Sequence, residues 1–508
     1  VSSTQGCSAR CRTTDGRAAI LLGDPSDHTG RTRERMDHGS VPHTKPPSSL
    51  PPGAWEPLLR LGQRARRPVE RFLQVEAASG ILLLLAAAIA LLWANSRWSA
   101  SYFALWRTSV SVGIGALHFE RSLEWFVNDG LMVIFFFVVG LEIRREIHQG
   151  ELSEWRRAAL PAVAAVGGML APAGLYLLLA SSPAARAGWG VPMATDIAFA
   201  VGILALLGER VPPALRVLLL ALAVIDDLGA IIVIAAFYSS GIAWSGLLVA
   251  AAGLACVLLL RWFGVRHKPV YVIPGFVIWA GVYSAGIHPT IAGVIIGLIT
   301  PVRAWLGAEG FVDRVREELV PLRAAGTAVS SQHLANTLHH VDSARREALS
   351  PAESLIDVLH PWVAFVIMPV FALANAGVPV AGLDSSDATA LSIAAGVGVG
   401  LVVGKPIGVL FAIWLTRRLG ISILPVGLGP RHLLVLGVVA GVGFTMALFV
   451  AQLAFPDARM LAAAKMGVLV ASGVAAVFAL ALGRLLLKPQ STAGAARTAH
   501  EAESSTST

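Results

Sequence analysis

The stretch Pro213–Tyr238, PALRVLLLALAVIDDLGAIIVIAAFY, sets two adjacent aspartates, Asp226 and Asp227, in the middle of a long apolar run. About 20 residues of helix cross a bilayer, so this run is long enough to span one. An ionisable residue at mid-depth costs roughly 2.5–3.5 kcal/mol on insertion scales. Two in succession are hard to account for as packing. The first reading is a membrane-embedded site for a proton or a cation; the bland alternative is a pair of carboxylates merely neutralised by hydrogen bonds.

The rest of the chain agrees with a membrane setting. Of 508 residues, 55% are hydrophobic and only 14% charged, where a soluble protein carries about 25% charged residues. Three cysteines, Cys7 and Cys11 in a polar stretch and Cys256 in an apolar one, give no disulfide framework and no zinc pattern. The net charge of +8 does not point to nucleic acid, because the lysines and arginines punctuate apolar segments. That distribution marks topology.

Twelve apolar segments can be drawn, near 79–96, 124–143, 158–180, 190–208, 213–238, 243–261, 269–285, 287–302, 360–379, 390–416, 432–455 and 461–487. The fold class they predict is an all-α polytopic membrane protein of about twelve transmembrane helices. With the N-terminal segment inside, the inner loops collect Arg144, Arg145, Arg157, Arg210, Arg216, Arg261, Lys268, Arg417, Arg418 and Arg431, besides five arginines between 60 and 71. The outer loops carry only Arg97, Arg107, Arg121, Arg186, Arg459 and Lys465. This positive-inside bias predicts a multi-pass membrane protein with both termini cytoplasmic. Residues 1–74, rich in Ser, Thr, Arg and Pro over much of their length, read as a disordered cytoplasmic tail, and 488–508 as a second one. Between them, 75–487 form the transmembrane domain, including a cytoplasmic connection at 303–357 with amphipathic patches around Phe311, Val312, Val315 and Leu319. Partial alternation in Thr108–Leu123 (TSVSVGIGALHFERSL) predicts a short β-hairpin.

Other polar residues fall inside the spans: Asp129, Asp196 and Lys405. Neighbours on a helix point about 100° apart, so Asp226 and Asp227 must have different partners. One carboxylate is expected to face a cavity and the other a cation, for which Lys405 is the buried lysine candidate. Asp196 lies in Trp189–Gly202 (WGVPMATDIAFAVG), interrupted by Gly190 and Pro192, and Gly437–Gly443 (GVVAGVG) is a comparable interruption in the eleventh segment. Such interruptions in both halves predict two broken, crossing helices in an inverted-repeat transporter, although glycines by themselves also serve close helix packing. Broken ends carry about half a unit charge each, which Asp196 and Lys405 are suited to offset. Lys405 precedes Pro406, so its backbone is biased away from α and a kink is expected there. His288, between two spans, reads as a loop or interface histidine.

These motifs resemble the NhaA-type sodium/proton antiporters: AVIDDLGAIIVI around Asp226-Asp227, ATDIAFA around Thr195-Asp196, VGKPIG around Lys405, GVGFTM at Gly441–Met446, NDGLMVIFFFVVGLEIRREI at Asn128–Ile147 and HPWVAFVIMPVFALANAG at His360–Gly377. The resemblance runs from about 75 to 487. It implies an inverted repeat of helices 3–5 and 10–12, and a homodimer joined through the hairpin near 108–123. It further implies that Asp227 binds sodium and protons, that Asp226 is its neighbour paired with Lys405, and that Thr195 and Asp196 stand at the crossing. Glu142, Arg145, Glu146 and His360 would form a cytoplasmic pH-control cluster, and His288 would affect the pH response. The chain departs from the family pattern at Ile356 and Asp357, where Glu and His are common, and in its longer connection at 303–357.

The activity implied is electrogenic exchange of cytoplasmic sodium, and of lithium, for external protons, regulated by pH and needing no cofactor. A carboxylate holds a proton or a sodium ion but not both, and that competition couples the two flows. The rivals are another cation/proton exchanger, a membrane-embedded enzyme using the aspartates, and a sensor or structural protein. Against a magnesium-dependent prenyltransferase, Ala230 and Ile231 stand where a further carboxylate would be needed one turn on. A structural protein would not need a buried lysine beside three buried aspartates.

Overall fold

Runs of Leu, Ala, Val and Ile become helices here because, in hydrocarbon, every backbone polar group must be paired within its own segment. The computed structural model describes residues 76–488 except 115–116, 240, 242, 266, 326–329, 380–386, 421–423 and 426. The tail expected at 1–74 and residues 489–508 of the other tail lie outside the described residues. Each of the twelve apolar segments falls on a helix. In order the spans are Glu76–Ala94, Leu123–Gln149, Trp155–Leu179, the pair Pro183–Met193 and Ile197–Arg210, Pro213–Phe237, and Trp244–Trp262. Val272–Ser284, Thr290–Ile299, Pro351–Asn375, Ala388–Arg418, the pair Pro430–Ala440 and Phe444–Ala454, and Ala458–Leu486 complete them. They are numbered spans 1 to 12 below.

Spans 7 and 8 have only 13 and 10 helical residues, short of the roughly 20 that a crossing needs. They are held laterally instead. Span 8 lies against span 2 so closely that a Cβ on Gly140 would sit 2.7 Å from the Val294 carbonyl oxygen. A belt of exposed Leu170, Leu178, Leu248, Phe411 and Val477 faces outward, as lipid contact requires.

The expected hairpin is present: strands Ser109–Ile114 and Leu117–Ser122 pair antiparallel, with Val110 opposite Arg121. Arg121 Nη2 donates to the Tyr283 hydroxyl over 2.7 Å, tying the hairpin to span 7. The 303–357 connection folds as two helices, Gly307–Ala325 and Ser331–Ala348, before a Ser350/Glu353 capping box starts span 9. Of its apolar patch, Phe311 and Val315 are half-buried and Val312 and Leu319 exposed.

The sequence reading needs two corrections. Lys405 is not displaced from helical conformation by Pro406: its φ/ψ are −66°/−50°, and span 10 continues through it. A π-helical turn at Gly400–Gly404 just before it widens the helix and supplies the room that the proline ring needs. Lys465, assigned above to an outer loop, lies inside span 12 and is buried. Lys405 is therefore not alone as a buried lysine.

Candidate functional site

The two broken spans meet at their breaks. In span 4 a 3-10 helix, Ala187–Met193, gives way to extended backbone at 194–196 before Ile197–Leu207 resumes as α-helix. In span 11 the interruption is Gly441–Gly443. Bends of 46° and 42° result. The Asp196 N–H donates to the Val442 carbonyl over 2.9 Å, so one break is hydrogen-bonded to the other. Glycine makes the approach feasible: a Cβ on Gly443 would lie 2.9 Å from the Ala194 carbonyl oxygen of span 4.

Asp196 is wholly buried at this crossing and serves both helix starts. Its Oδ1 accepts from Phe199 N (3.0 Å) and its Oδ2 from Thr445 N (3.1 Å) and the Thr445 hydroxyl. One carboxylate thus faces the positive N-terminal ends of two half-helices. Lys405 serves the opposite polarity. Its Nζ donates to the carbonyl of Met193, the last residue of the 3-10 segment, and to Asp226 Oδ2 at 2.6 Å. Spans 3 and 10 touch backbone to backbone at Gly167 and Gly408, one turn beyond Lys405, and the lysine stem lies beside Gly168.

Asp226 and Asp227 stand on span 5 with different surroundings. Asp226 Oδ2 lies 2.5 Å from Thr195 Oγ1, whose single proton is shared between it and the Ala440 carbonyl at 3.1 Å. Asp227 has neither partner. Both its carboxylate oxygens, and Asp226 Oδ1, are buried with no hydrogen-bond donor among the described residues. Glu142 and Asp196 are near enough to Asp227 to repel its charge, and Lys405 near enough to attract it. Buried acceptors without donors are costly, and three carboxylate oxygens in one place suit a proton or a hard cation. No group of three His, Cys, Asp or Glu gathers as for a resident metal among the described residues.

The remaining predicted residues separate into two places. Glu142, Arg145 and Glu146, on the last turns of span 2, interact with one another, and Arg145 and Asp357 act on His360 of span 9. The Glu146 carboxylate also accepts from Glu151 N at 3.0 Å. Ile356 is buried against Leu141, Val302 and Ala352. His288 is at the other end of the molecule. Its Nε2 lies 3.4 Å from Asp129 Oδ1 and its Nδ1 2.8 Å from the Thr290 hydroxyl. It stands apart from the cluster of Glu142, Arg145, Glu146 and His360.

Two features escaped the sequence reading. Thr445, quoted only as part of a motif, is a double donor to Asp196. A second buried polar group, Asn375 with Gln452, Asn128 and Lys465, joins spans 2, 9, 11 and 12. The amides carried no charge to attract notice, and Lys465 sits near a helix end where lysines ordinarily reach out to water.

Crossed broken spans around buried carboxylates and a lysine define a membrane transporter for small cations or protons. Comparison with known proteins narrows this class. The family described as Na+/H+ antiporter 1 matches residues 70–482. The Na(+)/H(+) antiporter NhaA 2 of Myxococcus xanthus (strain DK1622) is 68% identical over 466 residues, covering 91% of this chain and 99% of that protein. The Na(+)/H(+) antiporter NhaA of Cupriavidus necator is 49% identical over 425 residues, 83% of this chain and 91% of its own. Among solved structures, the sodium proton antiporter MjNhaP1 from Methanocaldococcus jannaschii shows a TM-score of 0.43 at 11% identity, over 85% of this chain and 99% of that one. The chain belongs to the NhaA-type Na+/H+ antiporters, a family of transporters and not of enzymes.

Proposed function

We propose that this protein exchanges sodium for protons at Asp227, extruding sodium from the cytoplasm while protons enter. The observation that carries the reading is the pair of buried, donorless Asp227 oxygens beside an Asp226 already bound to Lys405 and Thr195. An unpartnered buried carboxylate must hold either a proton or a cation, and the two compete. Alternating access of one site to the two sides then makes the exchange obligatory. Spans 3–5 and 10–12 supply the inverted repeats that move around it.

Lys405 gives a route to net charge movement. Sodium entering between the aspartates draws Asp226 away from the lysine, and a lysine deprived of its counter-ion releases its proton. More than one proton then returns per sodium, and exchange is electrogenic. Lithium, a smaller hard cation, takes the same oxygens. Glu142, Arg145, Glu146 and His360 tune the pH at which the site opens, with His288 and Asp129 acting from the far end. The arginine-rich face, with Arg144, Arg210, Arg261 and Arg417, is cytoplasmic in the bacterial inner membrane, which puts both tails inside. The exposed hairpin at 108–123 joins two copies into a homodimer.

The test is full-length protein in liposomes with an internal pH-sensitive dye. Sodium and lithium should each dissipate an imposed pH gradient, faster when a potassium/valinomycin shunt removes the membrane potential. Exchange unaffected by the shunt would sink electrogenicity; no exchange with either ion would sink the whole reading.

A further inference from the structure

A buried polar group stands apart from the crossing. Asn375, wholly buried at the end of span 9, donates through Nδ2 to Asn128 Oδ1 over 2.7 Å and to the Phe371 carbonyl over 3.0 Å. Its Oδ1 accepts from Gln452 Nε2 of span 11 and, over 3.4 Å, from Lys465 Nζ of span 12. Gln452 Nε2 also lies 3.4 Å from Glu124 Oε1 of span 2. Gln452 is eight residues beyond Phe444, about 12 Å along the helix from the crossing at 1.5 Å per residue. All five residues sit near span ends on the arginine-poor side, between the crossing and that surface.

The membership of this group is the informative point. Gln452 and Lys465 belong to the second repeat, spans 10–12, whereas Glu124, Asn128 and Asn375 belong to spans 2 and 9, outside both repeats. The bonds from Gln452 and Lys465 to Asn375 and Glu124 therefore bridge the two bodies that alternating access must displace relative to each other. Their strength suits that task. The Gln452–Asn375 bond is a neutral amide contact, weak once exchanged for water, and the two bonds with a charged partner are long, at 3.4 Å each. Among the described residues Lys465 has no carboxylate within ion-pair distance, with Glu124 acting on it only from farther off, so its desolvation is poorly compensated while it is buried and is relieved when water enters. Such a group closes firmly enough to exclude water yet comes apart without a large barrier. An apolar seal at the same place would have left no reason for a buried lysine.

We propose that Glu124, Asn128, Asn375, Gln452 and Lys465 form a polar latch that holds the arginine-poor side shut and separates each time the ion site turns to that side. This rests on the alternating-access reading above. It is tested in full-length protein carrying Cys7→Ser, Cys11→Ser and Cys256→Ser, with Asn375→Cys and Gln452→Cys added. A short bifunctional methanethiosulfonate should join the two positions and stop exchange at least tenfold, with activity restored by reductant. Full exchange in the joined protein would overturn the latch. The untreated parent, with only the three serine substitutions, measures antiport by itself, so its inactivity would count against the antiport reading instead. A second measurement needs no turnover. In the same cysteine-free background, Val127→Cys provides a buried reporter thiol on span 2, labelled by an impermeant reagent from the arginine-poor side. Adding Gln452→Ala should raise its labelling rate about fivefold, the shift in opening that loss of one net hydrogen bond brings, whereas Lys465→Met, which removes the buried charge that favours opening, should lower it. Labelling that stays constant in both variants would refute the latch even if transport is impaired.

Discussion

Asp226 and Asp227 are one residue apart, yet Oδ2 of the first binds two partners and the second has no hydrogen-bond donor among the described residues. The rotation of about 100° per residue separates them: it turns Asp226 toward Lys405 and Thr195 and points Asp227 elsewhere, with Asp226, Glu142 and Asp196 near enough to repel its charge. Asp227→Asn keeps the shape and removes the charge. It should abolish sodium-dependent proton movement in everted vesicles while the protein is still inserted in normal amount. Asp226→Asn should slow exchange less but unfold at lower temperature, because removing one member of a buried ion pair typically costs about 3–5 kcal/mol. If a melting curve in detergent shows no change for Asp226→Asn, the pair is not supporting the fold. At this scale the sequence was readable wherever a charge lay deep in an apolar run. Asp226, Asp227, Asp196 and Lys405 stood out by cost alone. Lys465 did not, since Asp457 and Arg459 nearby made its neighbourhood look like a loop.

At the scale of single spans, Gly190, Pro192 and the glycines of 437–443 foretold both interruptions, because residues that weaken helices leave a visible mark. The π-helical turns at Phe126–Leu131, Val363–Ile367 and Gly400–Gly404 left none, since a wide turn has no residue signature of its own. Nor did the hydroxyl of Thr445 announce which carboxylate it would reach. Thr445→Val keeps the volume and removes the side-chain donor to Asp196. A loss of about 1–3 kcal/mol is expected, as for a buried acceptor left short of a donor, and should appear as a lowered melting temperature with little change in expression. Lys405→Ala should destabilise the protein and shift its pH profile, whereas Lys405→Arg should retain part of both functions. An alanine variant with unchanged melting temperature and pH profile would refute the placement of the lysine on the helix ends.

For the molecule as a whole, competition at one carboxylate fixes how pH must act. Below the pH at which the site gives up its proton, each unit of acidification should raise the apparent sodium KM about tenfold, with the maximal rate less affected. Titrating exchange with sodium at a series of pH values checks this. A KM flat across that acid range would mean that sodium and protons use separate sites. On the function proposed above, the cluster at the arginine-rich end would act differently. His360→Ala and Glu146→Gln should move the pH of half-maximal activity and leave the maximal rate largely intact. If neither moves it, these residues serve only topology. The twelve segments were legible from hydropathy. The shortness of spans 7 and 8 was not, because a hydropathy window counts apolar residues and cannot see where the helix stops.

The double role of Asp196 has a mechanical result. Because one carboxylate holds the starts of Ile197–Leu207 and Phe444–Ala454 together, neither half-helix can swing without stripping donors from the other's anchor. The crossing has lost its internal hinges. It behaves as a riveted joint: the two breaks give it the shape of a cradle, and the rivet forbids that cradle to flex. On the exchange proposed above, a translation or tilt of the joint entire keeps these bonds, whereas a swing of either half-helix alone breaks them.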